Sequence, residues 1–141
     1  MKVINLTYTF NTRDLGGMKT VDGKVIKDRK YMFVVIGNGA YYGGGYKPCP
    51  QASVADGYLD LCMVFDVPLY RIPDLSKAYE KGEHLRHKKY TSSQLIKNIQ
   101  FLNEEEVLIG LDGEIHTMHQ PYLEILPQQI QLCIPKKKVK A

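Results

Sequence analysis

The stretch Tyr31-Met32-Phe33-Val34-Val35-Ile36-Gly37-Asn38-Gly39 decides the fold class. Six consecutive apolar residues, rich in β-branched and aromatic side chains, are too short a run for a buried helix. They suit a strand covered on both faces. Leu59–Val67 is a second strand of this kind. Outward from these two, the dominant period is two rather than 3.6. Lys2–Thr12 alternates loosely, and Val21-Asp22-Gly23-Lys24-Val25 reads as a hairpin, because Asp-Gly accepts the positive φ of a type I′ turn. Glu106–Leu111, Ile115–His116, Tyr122–Leu126 and Ile130–Ile134 continue the pattern, punctuated by Asp112-Gly113, Pro121 and Pro127. One helix is expected, capped by Asp74, running Leu75–Lys81 and stopped by Gly82. Gly82–Tyr90 is polar and reads as a connection or an exposed strand start. Short strands with regular turn signals predict an antiparallel β-sandwich with one short helix.

The chain has 141 residues, the length of one ordinary domain, and its 44% hydrophobic content is that of a globular one. Lys, Asp or Glu interrupts every apolar run before it reaches the length of a membrane-spanning helix. Met1–Thr7 lacks the apolar core of a signal peptide. The formal charge of +4 comes from Lys136, Lys137, Lys138 and Lys140, so residues 1–135 carry 15 cations against 15 anions. The expected division is therefore a neutral domain over 1–135 and a basic tail over 136–141. A neutral body without a basic stripe argues against nucleic-acid binding. Cys49, Cys62 and Cys133 cannot pair completely and show no Cys-x-x-Cys spacing, which fits a reduced, cytoplasmic setting.

Gly37-Asn38-Gly39-Ala40-Tyr41-Tyr42-Gly43-Gly44-Gly45 holds five glycines in nine residues. It is no Walker loop, since no Gly-Lys-Ser/Thr follows, and Tyr42 breaks a dinucleotide fingerprint. A sharp structural turn is the simpler reading, and close backbone approach to a ligand is the functional one. Asp56-Gly57-Tyr58-Leu59-Asp60 opens the second strand, either as an Asx turn or as an oxygen site for a hard cation. Leu111-Asp112-Gly113-Glu114 sets two carboxylates around a glycine. A hairpin turn explains it, and so does a general base with an acidic neighbour. His84-x-x-His87 and His116-x-x-His119 have ligand-like spacing but no third ligand, and read better as turn histidines.

Singly these motifs are weak, but their order is distinctive. Val34–Gly39, Tyr42–Gly45, Pro50-x-Ala52-x3-Asp56-Gly57-x-Leu59-Asp60, the capped helix, Leu111–Glu114, and finally Leu126-Pro127 and Ile134-Pro135 resemble the C-terminal half of the diacylglycerol kinase / sphingosine kinase family of soluble lipid kinases. The resemblance covers roughly residues 28–135. It implies a β-sandwich that closes over a separate N-terminal nucleotide domain bearing Gly-Gly-Asp-Gly-Thr, a signature this sequence lacks.

The resemblance further implies that Asp112 accepts the proton of the lipid hydroxyl and that Glu114 is its acidic partner. Gly37, Asn38, Gly39, Gly43, Gly44 and Gly45 would line the interdomain cleft near ATP. Asp56, with the carbonyls of Ser53 and Tyr58, would hold a structural Mg²⁺. The implied partners are the nucleotide domain, a diacylglycerol-like lipid and an anionic membrane at the inner face. Self-association through the uncovered domain face is a further expectation. The chain alone is expected to be inactive. The alternative is a non-catalytic β-sandwich that holds a lipid or another small ligand.

Overall fold

The computed structural model describes residues 5–9, 18–27, 31–102 and 106–129. The described residues form ten strands, β1 (Asn5–Thr9), β2 (Met18–Val21), β3 (Lys24–Lys27), β4 (Tyr31–Gly37), β5 (Leu59–Phe65), β6 (Thr91–Ile96), β7 (Asn98–Phe101), β8 (Val107–Leu111), β9 (Glu114–Met118) and β10 (Tyr122–Glu124). They form two sheets, a six-stranded one in the order β6-β5-β4-β1-β8-β9 and a four-stranded one in the order β10-β7-β2-β3. Every pairing is antiparallel. This is the expected sandwich. The expected strand Ile130–Ile134 and the basic tail lie outside the described residues.

The two continuous apolar strands sit side by side near the middle of the larger sheet because both of their faces are covered. Val34, Ile36, Leu61 and Met63 face the core between the sheets, where they meet Ile96, Ile99, Phe101 and Ile109. Alternate residues point the other way. Val64 packs beneath Leu75 and Tyr79 of the helix α1 (Ile72–Lys81), while Val35 and Cys62 pack against Cys49. Burying eight side chains of this size on the inner face alone contributes on the order of 10 kcal/mol before chain entropy is counted.

The helix starts three residues earlier than its sequence signals suggest. Pro73 lies in the first turn, where a missing N–H costs nothing, and Asp74 follows it inside the helix rather than capping it. At the other end Gly82 adopts φ 74 and its N–H reaches the carbonyls of Ala78 and Tyr79. A Cβ there would stand 2.8 Å from the Lys47 side chain and 3.1 Å from Pro50, so only glycine fits. No helix among the described residues is long and apolar enough to cross a membrane.

β6 and β7 are strands that the period-two reading leaves unassigned. They run from one sheet into the other through a bend at Lys97, and Asp22 holds that corner. Its Oδ1 accepts hydrogen bonds from the N–H groups of Lys97 at 2.8 Å and Asn98 at 3.0 Å. Its own N–H donates to the Asn98 carbonyl at 3.2 Å. Asp22 and Gly23 have φ 47 and 77, as a type I′ Asp-Gly turn requires. Asp22→Ala should lower the free energy of unfolding by about 1–3 kcal/mol, since charge-assisted bonds are lost from a positive-φ position. Asp22→Asn, which keeps an acceptor and tolerates the turn, should cost much less. Urea denaturation of the two variants checks the difference.

Candidate functional site

The antiparallel register gathers the motif-bearing loops at one end of the six-stranded sheet. Gly37, the last residue of β4, lies opposite Asp60 on one side and Asn5 on the other. Leu6 in turn pairs with Leu111, the last residue of β8. The glycine-rich loop, the turn at 53–58 and the Asp112-Gly113 turn therefore emerge along a single edge. Three strand spacings separate the column of Asp60 from that of Leu111, about 14 Å.

Asp112 and Gly113, with φ 48 and 93, form the two-residue turn between β8 and β9. The turn exposes the Asp112 side chain at the sheet end. Glu114 opens β9, is also exposed, and lies 3.5 Å from Nε2 of His116. His116 belongs to β9 and His119 to the turn beyond it. No group of three or more His, Cys, Asp or Glu side chains able to hold a metal occurs among the described residues.

The glycine-rich loop has two parts. Gly37 and Gly39 are buried, and Asn38 between them has an enclosed Oδ1 with no hydrogen-bond partner. Gly43–Gly45 form an exposed 3-10 turn with φ 35, 71 and 101, and a Cβ at any of them would meet nothing within 4 Å. Backbone conformation, not crowding, requires glycine there. The Tyr42 N–H donates to the Tyr46 carbonyl at 3.0 Å and closes the turn.

Asp56 is exposed, and its Oδ1 accepts the Tyr58 N–H at 3.0 Å, the Asx geometry. Ser53 Oγ accepts the Ala55 N–H at 3.4 Å. The donors of this turn, the Asp56 carboxylate, the Ser53 hydroxyl and main-chain carbonyls, are all hard oxygens. That donor set suits Mg²⁺, which keeps several waters and needs few protein ligands.

Two groups that the sequence reading placed only in turns are buried. Asp60 is buried, its Oδ2 has no partner, and burial together with the neighbouring Asp56 charge pushes its carboxyl up to about 6. His84, from the polar connector, is wholly buried behind the sheet. Its Nε2 lies 3.3 Å from Cys62 Sγ, and its ring lies 4.8 Å from that of Tyr79. Burial pushes the Cys62 thiol up to about 12 and the imidazole below its usual range. Only the long-range packing of a short polar turn makes His84 a core residue, and no local pattern announces it.

Comparison with known proteins gives these features a context. The sequence profile of the YegS C-terminal NAD kinase beta sandwich-like domain matches residues 5–134. A Stenotrophomonas maltophilia protein named "Probable lipid kinase YegS-like" is 26% identical over 100 residues, which are 71% of this chain and 32% of that protein. Its namesake from Yersinia enterocolitica is 28% identical over 104 residues, 74% of this chain and 33% of that one. The chain thus spans about a third of the length of the curated relatives it matches. Among solved structures, a Bacillus anthracis str. Sterne protein assigned as a diacylglycerol kinase superposes with a TM-score of 0.61 at 26% identity, over 86% of this chain and 37% of its own. Another diacylglycerol kinase of the same organism, 20% identical, shares the fold with a TM-score of 0.60 over 89% of this chain and 46% of its own. The chain belongs to the family of YegS C-terminal NAD kinase beta sandwich-like domains.

Proposed function

We propose that this chain is the substrate-side half of a lipid kinase that transfers the γ-phosphoryl group of ATP to the hydroxyl of a diacylglycerol-like lipid. One observation carries the reading: the glycine-rich loop, the Asp56 turn and the exposed Asp112-Gly113 turn share one end of one sheet, where a second domain bearing ATP could close on all three. In this scheme the lipid oxygen attacks the γ-phosphorus as Asp112 takes its proton, and the bond from phosphorus to the ADP oxygen breaks. Glu114 sits beside the base and adds negative charge that suits a cationic neighbour such as nucleotide-linked Mg²⁺. Gly37, Asn38 and Gly39 form the floor of the cleft, and the open Gly43–Gly45 turn lets main chain approach the nucleotide without side-chain obstruction.

Asp56 and the carbonyls of Ser53 and Tyr58 would hold Mg²⁺, which would supply positive charge that ties the turn together. Magnesium should raise the melting temperature, and Asp56→Ala should abolish the rise. A melt indifferent to magnesium in the parent chain would remove the site. The lysines of the tail would favour approach to an anionic inner-membrane face, each contributing about 1 kcal/mol near the surface.

The kinase reading is tested by joining the chain to the nucleotide domain of a YegS-like relative and following phosphate transfer from ATP to diacylglycerol. The joined protein should be active and the 141-residue chain alone inactive. Lipid binding by the chain, with no transfer in the joined protein, would instead favour the non-catalytic binding module. The absence of a Gly-Gly-Asp-Gly-Thr segment from the sequence motivates that second reading.

A further inference from the structure

The turn at 53–58, the bend at Lys97 and the segment that follows β10 meet in one corner of the molecule. Lys97 Nζ stands 5.4 Å from the centre of the Tyr58 ring. The Lys97 carbonyl accepts the Ile125 N–H at 2.9 Å, which brings Leu126 beside the bend. Pro127 abuts the turn in its own right, since a Cβ at Gly57 would lie 3.8 Å from the proline ring. Ile96, just before the bend, pairs with Leu59, and the next residue of β5, Asp60, pairs with Gly37. The corner therefore stands at the same end of the larger sheet as the Asp112 turn.

This corner shows water a connected set of large apolar side chains. Leu126 is 62% exposed, Val54 48% and Tyr58 37%. One such residue needs no explanation, but three on adjoining segments do. Their chemistry is that of a boundary between hydrocarbon and water. Two are aliphatic, and the third is a tyrosine, whose ring is apolar and whose hydroxyl prefers to stay wet. The lysine over that ring can lay its stem on apolar surface and keep its ammonium hydrated. Leu69 and Tyr70, 83% and 75% exposed, offer a similar pair with Arg71 over the tyrosine ring. They follow β5, at the opposite end of the sheet, and seven strand residues or about 20 Å separate the two ends.

We propose that the corner of Val54, Tyr58, Lys97 and Leu126 rests on a lipid bilayer. The two aliphatic side chains enter the boundary between headgroups and acyl chains, Tyr58 lies at headgroup level, and Lys97 faces the lipid phosphates. The choice of a bilayer as the partner rests on the kinase reading. A diacylglycerol-like lipid stays in its bilayer, so its hydroxyl meets Asp112 only when the sheet end that carries that turn faces the membrane. Leu69 and Tyr70 are at the wrong end to bring this about. The columns of Asp60 and Leu111 lie about 14 Å apart, so the corner touches the bilayer beside the base and not over it. That leaves the Asp112 side of the sheet end to the nucleotide domain. Contact of this kind comes from apolar burial, whereas attraction of the lysine tail to an anionic membrane is screened by salt.

Flotation with phosphatidylcholine vesicles tests the surface, because they carry no net charge for the lysine tail to seek. The 141-residue chain should bind them, and binding should persist when salt is raised or when residues 136–141 are removed. Leu126→Asp should weaken binding about tenfold or more, with circular dichroism and melting unchanged because the side chain is exposed. If that variant melts early, Leu126→Ser takes its place. An environment-sensitive dye on Leu126→Cys, in a Cys133→Ser background, should shift to the blue when vesicles are added. The same dye on Leu69→Cys should not, and Cys49 and Cys62 are buried away from the reagent. In the enzyme formed with a nucleotide domain, Leu126→Asp should lose transfer to diacylglycerol in vesicles and keep transfer to a short-chain, water-dispersed one. A chain that ignores the vesicles, binding unmoved by a folded Leu126 variant, or a dye response at Leu69 overturns the proposal. So does a dye at 126 that shifts on joining the nucleotide domain and then ignores vesicles, which makes the corner a domain interface. Vesicle binding through Leu126 with no transfer to either lipid supports the surface and removes the kinase reading.

Discussion

Asp112→Asn, introduced into the enzyme formed by this chain and a nucleotide domain, should lower turnover about 10²–10⁴-fold, the usual cost of losing a general base. The substitution isolates the chemistry because it barely touches the fold. Asp112 occupies the first position of the turn with φ 48, a conformation that asparagine adopts as readily as aspartate. The side chain is exposed, so an isosteric amide opens no cavity. Melting temperature and affinity for lipid should therefore stay close to those of the parent while kcat falls. Asp112→Ala is a poorer probe, since alanine at positive φ adds strain to the loss of the carboxylate. Glu114→Gln should have a smaller effect, because in the proposed scheme Glu114 lies beside the base and its loss leaves the proton acceptor itself in place. A rate for Asp112→Asn within a few-fold of the parent would reject Asp112 as the base. Activity of the chain without any nucleotide domain would reject the two-part reading instead, since positioning of the phosphoryl group supplies most of the rate in such reactions.

What the sequence made legible was local. Continuous apolar runs announced β4 and β5 because both faces of those strands are covered. Asp-Gly pairs at 22–23 and 112–113 announced hairpins because few other residues accept positive φ at both positions. β6 went unseen for the same kind of reason. An edge strand with one open side needs few apolar residues, and Thr-Ser-Ser-Gln looks like loop until it is paired. The order of the site motifs could be read along the chain, but their convergence could not. It depends on β1 bridging β4 and β8, and the register Leu6↔Leu111 spans most of the sequence. Asp22 clamping a corner 75 residues away, and His84 entering the core from a polar turn, are likewise products of tertiary packing.

Two buried groups should act on the melting temperature between pH 7 and pH 4 with opposite signs, which single substitutions separate. Burial holds the His84 imidazole below its ordinary 6.5, a close His87 adds to the effect, and the nearby Pro48 carbonyl pulls the other way. The Cys62 thiol, held up at about 12, keeps its proton and can donate to Nε2 of the neutral ring. A second proton would cost the Cys62 bond and place a charge against Tyr79 and the sheet. The folded pKa lies below the unfolded one, so this contribution to stability is present above 6.5 and is lost as pH falls below it. Asp60 runs the other way. Its folded value of about 6 exceeds the ordinary 3.8, so its contribution is complete below 3.8 and is lost as pH rises through 6. Each group can supply a slope of at most about 1.4 kcal/mol per pH unit, and as pH falls below 6 the two oppose each other. Asp60→Asn should therefore raise the melting temperature at pH 7, where the parent buries an ionised carboxylate. The gain should vanish near pH 4, and the loss of stability in acid should become steeper than in the parent. His84→Phe, which keeps a ring beside Tyr79, should abolish that acid loss and leave only the gain from Asp60 as pH falls. An Asp60→Asn curve running parallel to the parent's from pH 7 to pH 4 would show that the carboxyl titrates as in the unfolded chain. An acid loss that persists in His84→Phe would move the sensor away from the buried imidazole.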